Sequence, residues 1–234
     1  MLNLKKQIKL RSLIISILIS IMIILILGIL NNIAPIAHSL GTELLSLNKS
    51  TTQSANAVTS VVTYFRGLDT LGEVTILFLA IFGISLSMEH NPKLNILQQD
   101  NFLLKTAIKV IFPLIVLFGF YIIIHGHLSP GGGFQGGVII ASGFLLQFLT
   151  HGDNFNLNHK LLTLFETFSG VGFVVFGILG FILTSNFLGN FLPLGQIGEL
   201  FSGGILSIIY IFVGLKVAAE LTILTEYFTK VKDV

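Results

Sequence analysis

Long apolar runs, separated by short polar stretches, dominate the pattern along this chain. The first run, Leu13–Leu30, contains no charged residue. The others occupy residues 58–88, 102–124, 135–150, 161–184 and 200–227. An α-helix rises about 1.5 Å per residue, so roughly 20 apolar residues cross the roughly 30 Å hydrocarbon core of a bilayer. We therefore predict an all-α integral membrane protein with about six transmembrane helices.

The first apolar run is predicted to be a retained membrane helix. A signal peptide has a shorter apolar core of roughly 7–15 residues, followed by a small-residue cleavage site. Leu13–Leu30 is longer and lacks such a site. The polar residues between the runs predict aqueous loops at 31–56, 89–101, 151–159 and 186–198.

Composition agrees with a bilayer protein. Hydrophobic residues make up 53% of the chain and charged residues 10%, whereas about 25% of a soluble domain is charged. The absence of cysteine excludes disulfides and thiolate-ligated metal clusters. A net charge of +2 is too small to indicate nucleic-acid binding.

The positions of Lys and Arg predict the orientation, since cytoplasmic loops carry an excess of these residues. If the amino terminus is cytoplasmic, six crossings leave Lys49 outside, with Arg66 and Lys216 inside helices. The other basic residues then lie on the cytoplasmic side: Lys5, Lys6, Lys9, Arg11, Lys93, Lys105, Lys109, Lys160, Lys230 and Lys232. We therefore predict that both termini are cytoplasmic and that residues 125–137 face the outside.

Residues 125–137, His-Gly-His-Leu-Ser-Pro-Gly-Gly-Gly-Phe-Gln-Gly-Gly, interrupt the apolar pattern. Pro130 lacks an amide donor, and glycine accepts positive φ without steric cost, so a sharp turn is expected. The loop residues selected as candidates are His125, His127, Gly131, Gly132, Gly133 and Gln135. Their free backbone groups need protein or water partners, because lipid offers none.

Three charged residues lie in the first half of the second apolar run: Arg66, Asp69 and Glu73. Spacings of three and four place them on one face of a helix, with Asp69 in reach of both neighbours. A charge at the centre of a bilayer costs about 2.5–3.5 kcal/mol on insertion scales, so this face is predicted to meet protein or water. Glu73 serves either an ion pathway or a structural ion pair.

A second cluster is predicted from Glu166 in the run 161–184 and from Lys216 with Glu220 in the run 200–227. Glu166 and Lys216 lie at similar depths, which allows a pair between the two helices. Ionisable groups inside transmembrane helices are candidates for ion or proton pathways. The alternative, favoured for Lys216 with Glu220, is an ion pair that locks helices together.

The two histidines leave three alternatives open. A His-x-His pair needs further metal ligands, and neither Cys nor a nearby Asp or Glu supplies them, so no metal site is predicted. A proton relay at the external mouth is possible because imidazole titrates near neutral pH, and hydrogen bonding within a buried loop is the simpler alternative.

The glycines lack the Gly-Lys-Ser/Thr of a nucleotide loop. We predict no cofactor and no enzymatic activity.

Two motifs resemble known families. The segment 125–137, followed by an apolar helix, resembles the MnhB domain of Mrp-type multisubunit Na⁺/H⁺ antiporters, over about Asn101–Val234. Phe65-Arg66-Gly67-Leu68-Asp69-Thr70-Leu71-Gly72-Glu73 is similar to the MbhE-type domain, found in membrane-bound hydrogenases and at the end of the large antiporter subunit, over about Leu13–Met88. Two modules are therefore predicted, at residues 1–94 with two membrane helices and 95–234 with four.

The resemblance implies an accessory subunit of a complex that exchanges Na⁺ or another monovalent cation for protons in a bacterial or archaeal cell membrane. Its implied partners are the large antiporter-like subunits of types A and D, the small subunits of types C, E, F and G, and the lipid bilayer. The resemblance assigns cation or proton passage to Glu73 and Asp69, with Arg66 acting on Asp69 by charge. Two alternatives stand beside it: a membrane-arm subunit of an energy-converting hydrogenase or related respiratory complex, and a scaffold through which no ion passes.

Overall fold

The computed structural model describes residues 40–88, 102–152 and 155–229, together with a few separate positions between 16 and 24. The chain divides into two compact units, residues 1–42 and 43–234. The predicted first membrane helix, Leu13–Leu30, and the loop at 89–101 lie largely or wholly outside the described residues.

The described residues form helices and connecting turns, without a strand. The α-helices are α1 (Leu40–Thr51), α2 (Ala57–Ser60), α3 (Gly67–Met88), α4 (Phe102–Ile124), α5 (Gly133–His151), α6 (His159–Thr184) and α7 (Ile205–Thr229), with a π-helical turn at Val61–Phe65. In this part of the chain, five helices, α3 to α7, are long and apolar enough to cross a membrane. The prediction of an all-α, multi-pass membrane protein is confirmed.

Helix α7 lies at the centre of the bundle. It packs against α5, α6 and α3, and its side chains form much of the buried core. The main core cluster consists of Val74, Phe173, Leu188, Ile205, Ile209, Phe212, Val213 and Val217. The outer faces of α4 and α6 carry many exposed large apolar side chains, as expected of helices that face lipid or another membrane subunit.

Glycines bring α5 into backbone contact with its neighbours. A Cβ atom at Gly137 would lie 2.8 Å from the carbonyl oxygen of Gly214 in α7, and one at Gly136 would lie 2.6 Å from that of Gly119 in α4. Small residues allow this close approach of membrane helices. A glycine also allows close packing of α6 on α7, because a Cβ at Gly172 would meet the Phe212 ring at 2.6 Å.

The prediction of one helix over residues 58–88 is wrong in its first third. Helix α2 ends at Ser60, the π-helical turn follows, and α3 begins only at Gly67. The β-branched residues of this stretch favour helix weakly, and their hydroxyls bond elsewhere: Thr59 Oγ1 donates to the carbonyl of Gly126 at 2.7 Å. Side-chain hydrogen bonds of this kind compete with regular helix geometry.

Two other boundaries differ from the prediction. Helix α1 occupies Leu40–Thr51, within the stretch predicted as a loop. Helix α7 starts at Ile205 rather than at Leu200, because Gly203 and Gly204 adopt φ of 80° and 56°. Such left-handed conformations end a helical path and are easily adopted by glycine.

Candidate functional site

A cavity of about 880 Å³ lies among α2, the π-helical turn, α3, the start of α5 and the first half of α7. Its lining residues are Asn56, Val58, Thr59, Val62, Thr63, Thr70, Glu73, Ile76, Leu77, Ala80, Pro130, Gly131, Phe134, Gln135, Tyr210 and Val213. Apolar side chains predominate, with a few oxygen-bearing groups among them. This composition is typical of a site that holds a small polar or charged ligand.

Glu73 supplies the carboxylate among the described residues of this lining. It lies two turns into α3, on the helix face that also carries Leu77 and Ala80, four and seven residues later. Glu73 is exposed in the isolated chain, so the cavity is open at this wall. A carboxylate beside hydroxyl and amide oxygens can bind a hard cation or exchange a proton.

Hydroxyl groups of three lining residues hold the cavity wall in place. Thr63 Oγ1 donates a hydrogen bond of 3.0 Å to the hydroxyl of Tyr210, which joins the π-helical turn to α7. Thr70 Oγ1 donates to the carbonyl of Val62 at 2.9 Å and joins α3 to the same turn. The π-helical turn is therefore held on both sides by side chains that line the cavity.

The glycine loop forms the cavity rim. Gly131, which lines the cavity, has φ of 155°, and Gly132 has φ of 140°. A Cβ at Gly132 would lie 3.0 Å from the Tyr210 ring and 3.1 Å from Gln135 Oε1. Glycine at these positions lets the backbone turn from the loop into α5 beside Tyr210.

Asn56, the residue that precedes α2, connects this part of the chain to the glycine loop by hydrogen bonds. Its side-chain amide donates to the carbonyls of Gly126 at 3.1 Å and Ser129 at 2.9 Å. Its backbone N–H donates to the carbonyl of His127 at 3.0 Å, and its Oδ1 caps α2 by accepting from Thr59 N. One side chain thus positions two walls of the cavity.

His127 lies behind the loop and is fully buried. Its Nε2 lies 3.4 Å from the carbonyl of Glu199, which can only accept, so Nε2 carries the proton. Its Nδ1 lies 3.3 Å from Ser207 Oγ. Burial lowers the pKa of His127 below 6.5, against the opposing effect of the Glu199 hydrogen bond. Of the alternatives left open by the sequence, these contacts favour hydrogen bonding in a buried loop.

We expect acid to loosen this loop through His127. Because the folded pKa lies below the unfolded value, the unfolded loop binds more protons between these two pKa values, and stability falls as the pH drops below 6.5. Hydrogen–deuterium exchange of residues 125–132, corrected for intrinsic rates, should therefore be faster at about pH 5.5 than at about pH 7.5. The pH dependence should disappear in His127→Gln; its persistence there would contradict the assignment.

His125 has a different environment. It is partly exposed, stacks on Tyr121 with ring centroids 4.1 Å apart, and places Nδ1 2.9 Å from the Tyr121 carbonyl. The structure does not bring the two histidines into the cavity lining. In the parts of the chain that the structure describes, no group of three or more His, Asp or Glu residues is arranged to hold a metal ion.

Arg66 and Asp69 form an exposed ion pair at the start of α3. Arg66 Nε donates to Asp69 Oδ2 at 2.6 Å, and the side chains are 67% and 51% exposed. Arg66 precedes the helix, so the prediction that all three charges share one helix face is wrong for this residue. Neither residue belongs to the cavity lining, and Glu73 is left without Arg66 as a counter-ion.

The second predicted cluster is rearranged as well. Lys216 Nζ lies 2.7 Å from Glu220 Oε1, within α7, and the side chains are 13% and 1% exposed. The predicted pair of Glu166 with Lys216 is not formed among the described residues, although Glu166 lies near enough to interact electrostatically with Glu220. The i,i+4 spacing within one helix brings Lys216 and Glu220 together.

Sequence reasoning missed several cavity residues. Asn56, Thr59, Thr63, Thr70 and Tyr210 line the cavity, and none was a candidate. The run Thr51–Thr63 is rich in hydroxyl and amide side chains, a signal that was assigned to a loop and a helix start. Glu226, buried and 3.4 Å from His159, was also missed.

The sequence is similar to one protein family and to several curated proteins. A family model described as a domain related to the MnhB subunit of Na⁺/H⁺ antiporters matches residues 103–223. An uncharacterized protein of Methanocaldococcus jannaschii is 33% identical over 199 residues, which cover 71% of this chain and 74% of that protein. A putative antiporter subunit mnhB2 of Staphylococcus saprophyticus is 43% identical over 53 residues, or 23% of this chain and only 38% of the staphylococcal protein.

Two solved structures are similar over nearly the whole chain. A chain of the membrane-bound sulfane sulfur reductase, an archaeal respiratory membrane complex, is 35% identical with a TM-score of 0.77 and covers 93% of this chain and 100% of its own length. A chain of the Mrp complex from Dietzia sp. is 23% identical with a TM-score of 0.73; the match covers 94% of this chain and 26% of that one. The second likeness concerns the fold alone.

Proposed function

Because this chain belongs to the family of domains related to the MnhB subunit of Na⁺/H⁺ antiporters, we propose that it is an accessory membrane subunit of a multisubunit cation/proton antiporter and that a monovalent cation passes its Glu73 cavity. The observation that carries the proposal is the placement of Glu73 in a cavity with oxygen-bearing side chains. An ionisable group at membrane depth is expensive unless it has a function or a partner.

The chemistry at Glu73 is competition between a proton and a cation. In this proposal Glu73 interacts with either a proton or a cation, because a nearby positive charge favours the ionised form of a carboxylate. Arg66 is engaged by Asp69 and leaves this charge unneutralised. The amide of Gln135 and the hydroxyl of Thr70 supply further oxygen ligands in the same lining.

Other subunits complete the site. The cavity is open where Glu73 is exposed, and exposed apolar residues such as Ile76 and Leu79 flank it on α3. An exposed carboxylate within a membrane helix is costly against lipid, so this wall is expected to meet protein. We assign this wall to the neighbouring antiporter-like and small subunits, in a cell membrane with both chain termini on the cytoplasmic side. The chain itself acts without enzymatic chemistry.

A second candidate is a membrane-arm subunit of a respiratory complex. The match to a whole chain of an archaeal respiratory membrane complex, at 35% identity, favours it. The two candidates share the cavity and differ in what drives the ion movement. An antiporter exchanges Na⁺ for protons without an electron donor, whereas a respiratory complex requires one, so assaying vesicles with and without a reductant separates them.

We test the site by Na⁺-dependent collapse of a proton gradient in everted vesicles that contain the intact complex. Glu73→Gln is expected to abolish the signal at equal levels of assembled complex, since the amide cannot ionise. The matched control is Glu43→Gln, the same change at an exposed residue of α1 outside the cavity, and it should exchange like the wild type. Unchanged exchange in Glu73→Gln would establish the scaffold alternative instead.

A further inference from the structure

A buried ion pair lies directly below the cavity on α7. Val213 lines the cavity, and Lys216 and Glu220 follow at spacings of three and seven residues, on the same face of the helix. With a rise of about 1.5 Å per residue, Lys216 starts about 4.5 Å deeper than Val213 and Glu220 about 10 Å deeper. The cavity and the ion pair therefore form one continuous stripe along α7.

The pair is poorly satisfied for its depth. Glu220 is 1% exposed, and its Oε1 contacts Lys216 Nζ at 2.7 Å. Its second oxygen, Oε2, is buried and has no hydrogen-bond partner among the described residues. A buried carboxylate with an unfilled oxygen is costly. Because Oε2 of Glu220 lies inside the bundle without a hydrogen-bond partner among the described residues, it is available to accept a proton.

Three helices surround the pair. The Lys216 ammonium lies 5.1 Å from the centre of the Phe78 ring in α3. In α6, a Cβ at Gly170 would lie 3.6 Å from Lys216 Nζ, an ordinary van der Waals contact, so the ammonium packs directly on this turn of α6. Glu166 lies one turn from Gly170 toward the His159 end of α6 and interacts electrostatically with Glu220.

The salt bridge itself lies within one helix. Lys216 and Glu220 both belong to α7, so their ion pair ties one turn of a helix to the next. An interhelical lock would need Glu166 as the partner of Lys216, and that contact is not formed between these described residues. Burying an ion pair within a single helix generally stabilises less than apolar residues of equal volume. The salt bridge by itself therefore contributes little to the packing of α7 on its neighbours.

We propose that Lys216, Glu220 and Glu166 form a proton relay that continues from the Glu73 cavity toward the His159 end of α6. The Lys216 ammonium gives a proton to Glu220, which yields a neutral amine and a carboxylic acid. Glu220 passes this proton to Glu166, and a proton from the cavity restores the ammonium. Each transfer moves one proton and leaves no other product.

The arrangement couples the relay to the cation. A cation held at Glu73 repels the Lys216 ammonium, whose backbone position lies about one helical turn below the cavity wall, and promotes transfer of its proton to Glu220. The charged group of α6 near the pair is Glu166, one turn from Gly170, which lies beside Lys216 Nζ. Cation entry and proton departure thus occur at opposite ends of the same stripe. This inference rests on the proposed cation site at Glu73.

The test uses the purified, assembled complex in proteoliposomes, with radioactive Na⁺ binding and proton flux as separate readouts. The variants are Glu220→Gln and the uncharged double variant Lys216→Met with Glu220→Gln. Both should bind Na⁺ like the wild type while proton flux falls about a hundredfold, the scale of one lost proton-transfer group. The double variant leaves no unpaired buried charge, so it is expected to assemble even if the single variant does not.

The matched control is Glu43→Gln, the same change at an exposed carboxylate of α1 outside the cavity and the relay. It should keep wild-type proton flux. Wild-type flux in the double variant, or failure of both variants to assemble, would overturn the relay and leave a structural pair. Loss of Na⁺ binding in Glu73→Gln alone tests the cation site, so the two proposals fail separately.

Discussion

Replacing Gly133 with alanine is expected to remove nearly all of the assembled protein from the membrane. Gly133 begins α5 against the backbone of α7, where an added Cβ would collide with the carbonyl oxygen of Tyr210 and lie 2.9 Å from Gly214 N. Both atoms belong to the helix at the centre of the bundle, which cannot shift without disturbing its packing on α6. Overpacking of this kind costs about 1–3 kcal/mol and more where backbone blocks relaxation.

The amount of monodisperse complex, measured by fluorescence-detected size-exclusion chromatography of a tagged chain, reports the loss. Gly83→Ala in α3 is the control, because no atom lies within 4 Å of a Cβ built there. It makes the same change in a membrane helix and should leave the yield unaltered. Equal yields from the Gly133 and Gly83 variants would show that α5 and α7 are not packed as closely as described.

Substituting Asn56 is the second change with a large expected effect. Asn56→Ala removes two donations to the carbonyls of Gly126 and Ser129, together with the cap of α2. Each lost hydrogen bond costs about 0.5–1.5 kcal/mol, and loss of the cap typically costs about 1 kcal/mol. We expect a loss of about 2–4 kcal/mol in the stability of the complex, measured as a lower midpoint of thermal dissociation.

Asn56→Asp separates the two roles. Aspartate keeps the capping oxygen but replaces the donating amide by a carboxylate that faces two carbonyl oxygens, so it should destabilise at least as much as alanine. Asn186→Ala is the control, since this exposed asparagine makes a single side-chain donation of 3.4 Å. A stable Asn56→Asp complex would mean that the cap alone matters.

The membrane helices were predictable because lipid imposes a simple demand on sequence. A segment surrounded by hydrocarbon must be apolar and must pair its own backbone groups, and both demands are visible in one dimension. The boundaries of α4 and α6 accordingly agree with the apolar runs within a few residues. Helix α1 lies outside this rule, since its mixed sequence carries no apolar run of that length.

The interruption before α3 was not predictable from the same pattern. Val58–Phe65 continues the apolar run without a charged residue, and what interrupts the helix is a set of hydrogen bonds from its hydroxyl groups to distant groups, such as Thr63 to Tyr210. The cavity could not be predicted for the same reason. Glu73 and Gln135 line one cavity only because α3 and α5 both pack on α7. Spacing located both residues and gave no sign of their proximity.

The ion pairs show that spacing along the chain predicts contacts within a helix better than contacts between helices. Arg66 with Asp69 and Lys216 with Glu220 each lie within a turn of one another along the chain, and both pairs form. The pair of Glu166 with Lys216 depended on the relative rotation of two helices, which local spacing does not define. Local electrostatics could therefore be predicted from the sequence, and contacts between helices could not.

The glycine contacts of α5 have a mechanical consequence. Where backbones touch directly, as at Gly136 and Gly137, no flexible side chain lies between the helices to absorb a displacement, so α4, α5 and α7 form a stiff frame. Helix α3 touches this frame mainly through side chains on α7 and is the most compliant of the helices around the cavity. We therefore expect any change in cavity volume to fall on α3, so that Glu73 moves while Gln135 and Tyr210 stay in place.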